Sequence, residues 1–214
     1  MKKYIVPVIT GIVTFVFGVV VGVKMSVYVY EPDFDSNSNS DNRKVTKPIK
    51  SESHSKPVVK KINKTQSNET WNVTLDSVTT ERVKKSDDLH FTAVNDYDIK
   101  KLLPEEFYMT TVEATIENKL DKDIDGSRST GEYILVDGNG YARTISGTTL
   151  SSYTDVRPMP IESFPPKSKT KIQFIVLSEK NDFNSDNIKI SLPDFAKDED
   201  FDDVYPGGTF DFQN

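Results

Sequence analysis

Acidic residues between positions 121 and 132 have the spacing of a calcium-binding loop. Asp121, Asp123 and Asp125 alternate with other residues, and Gly126 and Glu132 complete the D-x-D-x-D-G-x5-E pattern at every required position. Three carboxylates, a glycine for the sharp turn and a bidentate glutamate could surround one calcium ion. The pattern normally lies between helices, whereas this segment joins two predicted strands. A solvated turn is the favoured interpretation, with a calcium site as the alternative.

Residues that could carry nucleophilic catalysis are few. His54 and His90 are the two histidines, and no G-x-S-x-G nucleophile elbow occurs. Residues 168–171 fit S-x-x-K and residues 185–187 fit S-D-N, but the K-T-G motif that accompanies them in β-lactamases is missing. The sequence therefore predicts no catalytic residue, no cofactor site, no metal site and no enzymatic activity.

Charge is distributed unevenly along the chain. From residue 67 onward there are 16 Lys and Arg against 28 Asp and Glu, whereas residues 42–66 carry eight basic residues against Glu52. An acidic domain is a poor partner for nucleic acid, since phosphate neutralisation supplies most of that affinity. The chain has no cysteine, which excludes disulfides, thiol nucleophiles, thiolate metal sites and lipid attachment through cysteine.

An apolar run at residues 4–23 predicts a transmembrane helix that anchors the chain. It holds thirteen Val, Ile or Phe residues and no charge between Lys3 and Lys24, enough to cross about 30 Å of hydrocarbon. Lys2 and Lys3 favour a cytoplasmic N-terminus, so the C-terminal part is expected outside the cell. A cleaved signal peptide is the alternative, but the run exceeds the usual 7 to 15 residues or so and no A-x-A site follows it.

Two glycines in this run could let two copies of the helix pair. Gly18 and Gly22 are separated by three valines, a spacing that allows two membrane helices to approach closely. Glycine is also common in single membrane helices. A homodimer through these glycines is therefore a hypothesis beside the monomeric anchor.

Residues 31–66 read as a disordered basic stalk. The segment is rich in Ser, Asn, Lys and Pro, and its apolar residues are few and scattered. Such a composition cannot offset the cost of ordering the backbone, about 1 to 2 kcal/mol per residue. A solvated spacer is the favoured interpretation of its basic residues, with adhesion to anionic lipid or envelope polymer as the alternative.

Residues 67–192 carry the alternation of apolar and polar residues that is typical of half-buried strands. It begins at Trp71 and recurs at residues 110–117, 132–136, 171–177 and 187–192. The sequence Asp-Gly-Asn-Gly at 137–140 predicts a hairpin turn before a further strand at 141–145. Since no long helical period appears, the sequence predicts an antiparallel β-sandwich, with residues 83–104 as a surface excursion and 146–168 mostly as loop and edge.

Residues 193–214 form an acidic tail that is also rich in aromatic residues. Six of its residues are Asp or Glu between 194 and 203, and Phe or Tyr stands at five positions. So many aromatic side chains are rarely left in water, which favours a tail that docks on the sandwich, with a last strand at 209–212 covering an edge. A free, partner-binding segment is the alternative.

Several segments together resemble a known family. They are Trp71-Asn-Val-Thr, Val112-Glu-Ala-Thr-Ile-Glu-Asn118, the 121–125 loop, the strand and turn at 133–140, and residues 166–176. This pattern is similar to that of the domain of unknown function 4352, over residues 71–192. The resemblance implies a telokin-like, immunoglobulin-like sandwich in an exported bacterial protein that is membrane-anchored or lipid-anchored and brings no catalytic residues. It names no ligand. This chain departs from the lipid-anchored members because it has no cysteine.

These observations predict a single-pass membrane protein with an N-terminus inside the cell and an acidic β-sandwich outside it. Its expected role is that of a binding or interaction module for an envelope or extracellular protein or polymer. The alternatives are a cell-envelope enzyme with an unrecognised site and a calcium-dependent adhesion module. A concave cluster of converging polar groups would favour the enzyme, whereas a flat sheet with apolar or aromatic patches would favour partner binding.

Overall fold

The structure is a computed structural model that describes residues 56–91, 96–199 and 202–213. These residues form antiparallel β-sheets with one short α-helix, which confirms the predicted β-sandwich. The predicted membrane helix at 4–23, with Gly18 and Gly22, lies outside the described residues, as does the predicted stalk up to residue 55. Within the three described ranges, no helix has the length and apolar character needed to cross a membrane.

The elements follow one another along the chain with short connections. In order they are β1 (Val58–Ser67), β2 (Trp71–Lys84), α1 (Asp96–Leu102), β3 (Glu106–Asn118), β4 (Ile124–Asp125), β5 (Ile134–Val136), β6 (Ala142–Arg143), β7 (Thr154–Arg157), β8 (Ser163–Phe164), β9 (Lys169–Ser178), β10 (Ile188–Leu192), β11 (Phe195–Ala196), β12 (Val204–Tyr205) and β13 (Gly208–Phe212). A 3-10 turn, Gly126–Arg128, follows β4.

Two larger sheets make up the sandwich. One has five strands in the order β1-β2-β3-β9-β7, and the other has four in the order β13-β10-β5-β6. Two short pairs, β4 with β8 and β11 with β12, complete the sheet structure, and every pair of these described strands is antiparallel. The predicted hairpin at 137–140 joins β5 to β6.

The core lies between the two sheets and is built from the predicted alternation. Every second side chain is buried on β10 and on residues 71–75 of β2, 112–118 of β3 and 171–174 of β9, as period two requires for a strand with one face against the other sheet. Where both faces of the five-stranded sheet are covered, the four consecutive side chains from Phe174 to Leu177 are buried. Trp71 packs edge-on against Phe164 at 5.0 Å between ring centroids, and its ring is 5.5 Å from that of Phe195. The indole N–H donates to the carbonyl of Pro206 at 3.0 Å, so this buried polar atom has a partner.

A second, smaller cluster lies on the outer face of the five-stranded sheet. An irregularity between Leu75 and Ser77 inserts one residue into β2, so Val83 faces away from the main core. Val83 packs with Phe107 and Leu177 beneath Ile99 of α1. Residues 85–91 and 96–105 therefore cover one end of this face, and no other described residues cover the remainder.

Strand β1 corrects the predicted extent of the stalk. Residues 58–66 were expected to be disordered, but they pair along β2 from Val58 opposite Thr80 to Ser67 opposite Asn72. Backbone hydrogen bonding to β2 stabilises the strand although its own side chains are mostly exposed. The ordered domain thus begins about ten residues before the predicted boundary at residue 67.

The tail contains the strand that was predicted at 209–212. β13 pairs with β10 from Gly208 opposite Leu192 to Phe212 opposite Ile188. Phe210 and Phe212 are buried in the main core. The described residues of the tail up to 212, namely 193–199 and 202–212, are therefore part of the sandwich and supply an edge of the four-stranded sheet.

Candidate binding cleft

The four carboxylates of the calcium-loop pattern have separate partners in the structure. Asp125 caps the 3-10 turn, since its Oδ1 accepts from the Ser127 backbone N–H at 3.0 Å and from the Ser127 hydroxyl at 2.6 Å. These hydrogen bonds, with a smaller contribution from Arg128 at 3.1 Å, lower the pKa of Asp125. Asp121 pairs with Lys167 at 3.3 Å on the surface.

The remaining two carboxylates point to other loops. Asp123 accepts from the Ser163 hydroxyl at 2.8 Å, and Glu132 accepts from the Ser146 hydroxyl at 3.0 Å. Across residues 56–91, 96–199 and 202–213, no three His, Cys, Asp or Glu side chains are close enough to hold a metal ion. The segment that matches the calcium pattern is a hydrogen-bonded turn in this structure.

The residues considered for catalysis are engaged in structural contacts. Ser168 donates to the carbonyl of Pro165 at 2.7 Å, and Ser185 accepts from Lys60 at 3.2 Å. His90 lies 3.5 Å from Lys100 through its Nδ1, and its carbonyl accepts from Arg157. His54 is outside the described residues. These contacts do not bring a nucleophile and a base together.

An open cleft of about 460 Å³ is formed by loops at one end of the sandwich. The loops are the β5–β6 turn, the β6–β7 connection and the β9–β10 connection, and the end of α1 adds one wall. We call it the loop cleft. Its lining comprises four apolar or aromatic residues and seven polar ones: Leu102, Tyr141, Leu150, Leu177, Arg143, Thr149, Ser151, Ser178, Glu179, Lys180 and Asp182.

The β5–β6 turn is held by a buried carboxylate. Asp137 is 2% exposed, and its Oδ1 accepts from the backbone N–H groups of Asn139 at 3.0 Å and Tyr141 at 3.1 Å. Its Oδ2 accepts from Nη1 of Arg143 at 3.1 Å. Gly140 takes the left-handed conformation, φ +84°, that the turn needs. This network fixes the backbone that presents Tyr141 to the loop cleft.

Arg143 connects the turn to the lining of the loop cleft. Its guanidinium carbon lies 5.5 Å from the ring centre of Tyr141 and 5.9 Å from that of Phe183, within the range of cation–π contact. Arg143 is only 3% exposed, and a buried guanidinium needs a negative partner. Asp137 provides that partner and neutralises the charge of Arg143. Within the described part of the chain, Nε of Arg143 has no hydrogen-bond partner. Arg143 therefore acts as a support for Tyr141 more than as a free cation.

The β6–β7 connection is tied back to its own ends. The Thr144 N–H donates to the carbonyl of Ser152 at 2.9 Å, and the Thr154 N–H donates to the carbonyl of Thr144 at 3.0 Å. Within the loop, the hydroxyls of Thr149 and Ser152 lie 2.8 Å apart. The loop that carries Leu150 is thus closed by hydrogen bonds at its base and at its tip.

The β9–β10 connection is joined to the β5–β6 turn. Asn139 donates from Nδ2 to the carbonyl of Asp182 at 2.8 Å, and the Gly138 N–H donates to the carbonyl of Asn184 at 2.9 Å. A Cβ at Gly138 would lie 1.9 Å from the carbonyl oxygen of Asp186, so only glycine allows this approach. The loops therefore hold each other, which limits the entropy lost when a ligand enters the loop cleft.

The rim of the loop cleft carries charged side chains that have no partner in the described structure. Glu179, Lys180 and Asp182 are exposed, and their side chains make no hydrogen bond or ion pair with described residues. Beside them, Leu102 is 44% exposed and Tyr141 is 52% exposed. The loop cleft is therefore mainly polar, with a small number of exposed apolar or aromatic side chains among its polar groups. The lining contains no histidine, and nothing in it resembles a nucleophile with its base.

Sequence reasoning missed this site because its parts are far apart in the chain. The Asp-Gly-Asn-Gly turn was predicted, but the sequence does not indicate that residues 149–151 and 178–182 lie against it. One signal was available. Tyr141 follows a turn and would be exposed on a short hairpin, and an aromatic residue in such a place favours a binding role.

Comparisons with known proteins give weak structural likenesses and no family. No protein-family model matches the chain, and no curated protein matches it. A functionally unknown protein from Listeria monocytogenes EGD-e has a TM-score of 0.40 at 9% identity, covering 75% of this chain and 90% of its own. A conserved hypothetical protein from Bacillus anthracis has a TM-score of 0.40 at 18% sequence identity, and the match covers 64% of this chain and 92% of that protein. An uncharacterized β-sandwich protein from Clostridium difficile 630 has a TM-score of 0.33 at 14% sequence identity, and the match covers 77% of this chain and 97% of that protein.

Proposed function

We propose that this chain is a single-pass membrane protein that presents its β-sandwich outside the cell as a binding module, with the loop cleft as the binding site. The proposal is carried by one observation. The loop cleft combines exposed apolar walls with charged side chains that have no partner among the described residues, on loops that hydrogen bonds hold in place. Exposed apolar groups on a rigid support are typical of interaction sites.

The membrane location is supported by the sequence. The apolar run at 4–23 and the basic residues Lys2 and Lys3 favour an anchor with its N-terminus inside the cell. In the same proposal, the sandwich is of the immunoglobulin-like, telokin-like kind found in the domain of unknown function 4352. A binding role is favoured over an enzymatic one because the loop cleft offers contact groups without a reactive pair.

Crosslinking in intact cells tests the binding role. A photo-crosslinking amino acid replaces Tyr141 in the loop cleft, and a matched variant carries it in place of Lys171, which is exposed on the open face of the five-stranded sheet. We expect a discrete crosslinked species from position 141 and none from position 171. Equal labelling at both positions, or none at either, would contradict the proposal.

Protease treatment of intact cells tests the location separately. External protease should digest the sandwich while a cytoplasmic marker stays whole. If the sandwich survives under conditions that digest a known exterior protein, the proposed topology is wrong, whatever the crosslinking gives.

A further inference from the structure

We propose that the loop cleft takes a peptide segment of a partner protein in which an apolar side chain stands next to a basic one. The inference rests on the proposed function and specifies the chemistry of its partner. It is drawn from the apolar walls of the loop cleft, the charge on its rim and the hydroxyl groups between them.

The apolar side chain of the partner peptide would lie between two walls of the loop cleft. Leu102 from α1 and Leu150 from the β6–β7 connection line the loop cleft, and Tyr141 is 52% exposed beside them. Leu177 is fully buried, so it packs beneath the loop cleft and presents no surface to a ligand. Two leucines and one tyrosine from three different elements converge on a space that an aliphatic or aromatic side chain would fill. Removing this surface from water favours binding in proportion to the apolar area buried.

The basic side chain of the partner peptide is inferred from the negative charge on the rim of the loop cleft. The rim carries Glu179 and Asp182 against Lys180, and the charge of Arg143 is already neutralised by Asp137. The rim is therefore net negative, on a domain that is itself strongly acidic. A lysine or arginine of the partner would place its aliphatic stem along the apolar walls and its charged end near the two carboxylates. Complementary charge of this kind also speeds association.

A peptide fits the lining better than a saccharide does. Most of the apolar lining is aliphatic, whereas sugar recognition depends on flat aromatic faces. The one exposed aromatic ring of the loop cleft, Tyr141, already has the Arg143 guanidinium over its ring. The hydroxyls of Thr149 and Ser151, both exposed, could instead hydrogen-bond the N–H and C=O groups of an extended backbone.

The test uses the full-length chain in detergent micelles with a phage-displayed library of random twelve-residue peptides as the probe. Enriched peptides should pair an apolar residue with Lys or Arg. A synthetic enriched peptide is then measured by fluorescence anisotropy. Tyr141→Ala should weaken its binding by about tenfold or more, as expected for an interface hot spot. The double variant Glu179→Lys, Asp182→Lys should weaken it comparably and reduce its dependence on salt.

A matched control separates the rim from the overall acidity of the domain. Glu69 and Glu162 are exposed carboxylates outside the loop cleft, so the double variant Glu69→Lys, Glu162→Lys makes the same change in net charge. It should bind the peptide as the natural chain does. Circular dichroism melting of each variant checks that the fold is retained, and Leu102→Ser serves as a second apolar variant.

The outcomes distinguish this inference from the proposed function. Enrichment of acidic peptides, or binding that the loop cleft variants leave unchanged, would overturn the peptide assignment. So would an absence of enriched peptides together with cosedimentation of the chain with purified peptidoglycan, although crosslinking from position 141 would then still support a binding role. If position 141 captures nothing in cells, the proposed binding role is itself contradicted, whatever the peptide library and the peptidoglycan give.

Discussion

Two polar surfaces of the sandwich differ in how their side chains are engaged. The open face of the five-stranded sheet, which we call the polar sheet face, is formed by outward-pointing residues of β1, β2, β3 and β9. Thr65 and Thr74 share a hydrogen bond of 2.8 Å across two strands, and Glu113 accepts from Ser77 at 2.8 Å and from Gln173 at 3.2 Å. On the polar sheet face, polar groups on neighbouring strands satisfy one another.

The loop cleft shows the opposite arrangement. Its polar backbone groups are paired with one another, but Glu179, Lys180 and Asp182 have no side-chain partner in the described residues. Leu102 and Tyr141 are also left exposed. Cross-strand pairs stabilise a sheet, whereas largely exposed apolar side chains contribute little to the stability of the fold that carries them. The difference teaches that side chains of the polar sheet face contribute to stability, whereas the exposed side chains of the loop cleft are available for contact.

The largest effect on stability is expected from a substitution in the β5–β6 turn, beneath the loop cleft. Asp137→Ala removes the partner of a buried guanidinium and two backbone hydrogen bonds, and loss of one member of a buried ion pair costs about 3 to 5 kcal/mol. Chemical denaturation should show this loss. The exposed pair of Asp121 and Lys167 gives the control, because Asp121→Ala should cost less than about 1 kcal/mol. Similar losses in both variants would mean that the turn does not depend on Asp137.

The polar sheet face should show a moderate effect on stability and none on binding. Glu113→Ala removes the acceptor of two side-chain hydrogen bonds, each worth roughly 1 kcal/mol. We expect a loss of about 1 to 2 kcal/mol in the free energy of unfolding, measured by denaturant titration. Crosslinking from position 141 should be unchanged in this variant. A reduced crosslink would show that the two surfaces are not independent.

The fold was largely predictable because burial imposes a simple period on strands. Trp71, Val73 and Leu75 face the main core as the alternation indicated, and so do Ile188 and Ile190. The strength of the signal comes from the sheet itself, since one face must be apolar and the other polar.

Features that depend on pairing or on insertions gave no comparable signal. β1 is mostly exposed and basic, so its sequence resembles a linker although β2 fixes it as a strand. The extra residue between Leu75 and Ser77 reverses the inward face of β2, and Val83 consequently packs on the outer side. The loop cleft was also unpredictable, because it needs loops that are brought together only by the complete topology.

Glu81 lies on the outer side of the five-stranded sheet, where a smaller and pH-dependent effect on stability is expected. It is 9% exposed, and burial raises its pKa above the ordinary value. The protonated form is therefore favoured in the folded state, so ionisation of Glu81 lowers stability as the pH rises through its raised pKa. Glu81→Gln should raise the melting temperature slightly at pH 7, and the gain should disappear at pH values below the ordinary glutamate pKa of 4.5. A gain that is equal at both pH values would exclude ionisation as its cause.

The smallest effect on stability is expected where the largest effect on binding is proposed. Tyr141→Ala removes a ring that is half exposed, and Leu102→Ser replaces a leucine that is 44% exposed. Exposed substitutions usually change the free energy of unfolding by less than about 0.5 kcal/mol. Both variants should therefore unfold at the denaturant concentration of the natural chain while they lose partner binding. If either one instead destabilises the fold as much as Glu113→Ala does, the loop cleft is part of the structural framework, and the contrast between the two surfaces fails. A matched substitution on the polar sheet face, Lys171→Ser, should change neither stability nor binding, because Lys171 is exposed and lies outside the loop cleft.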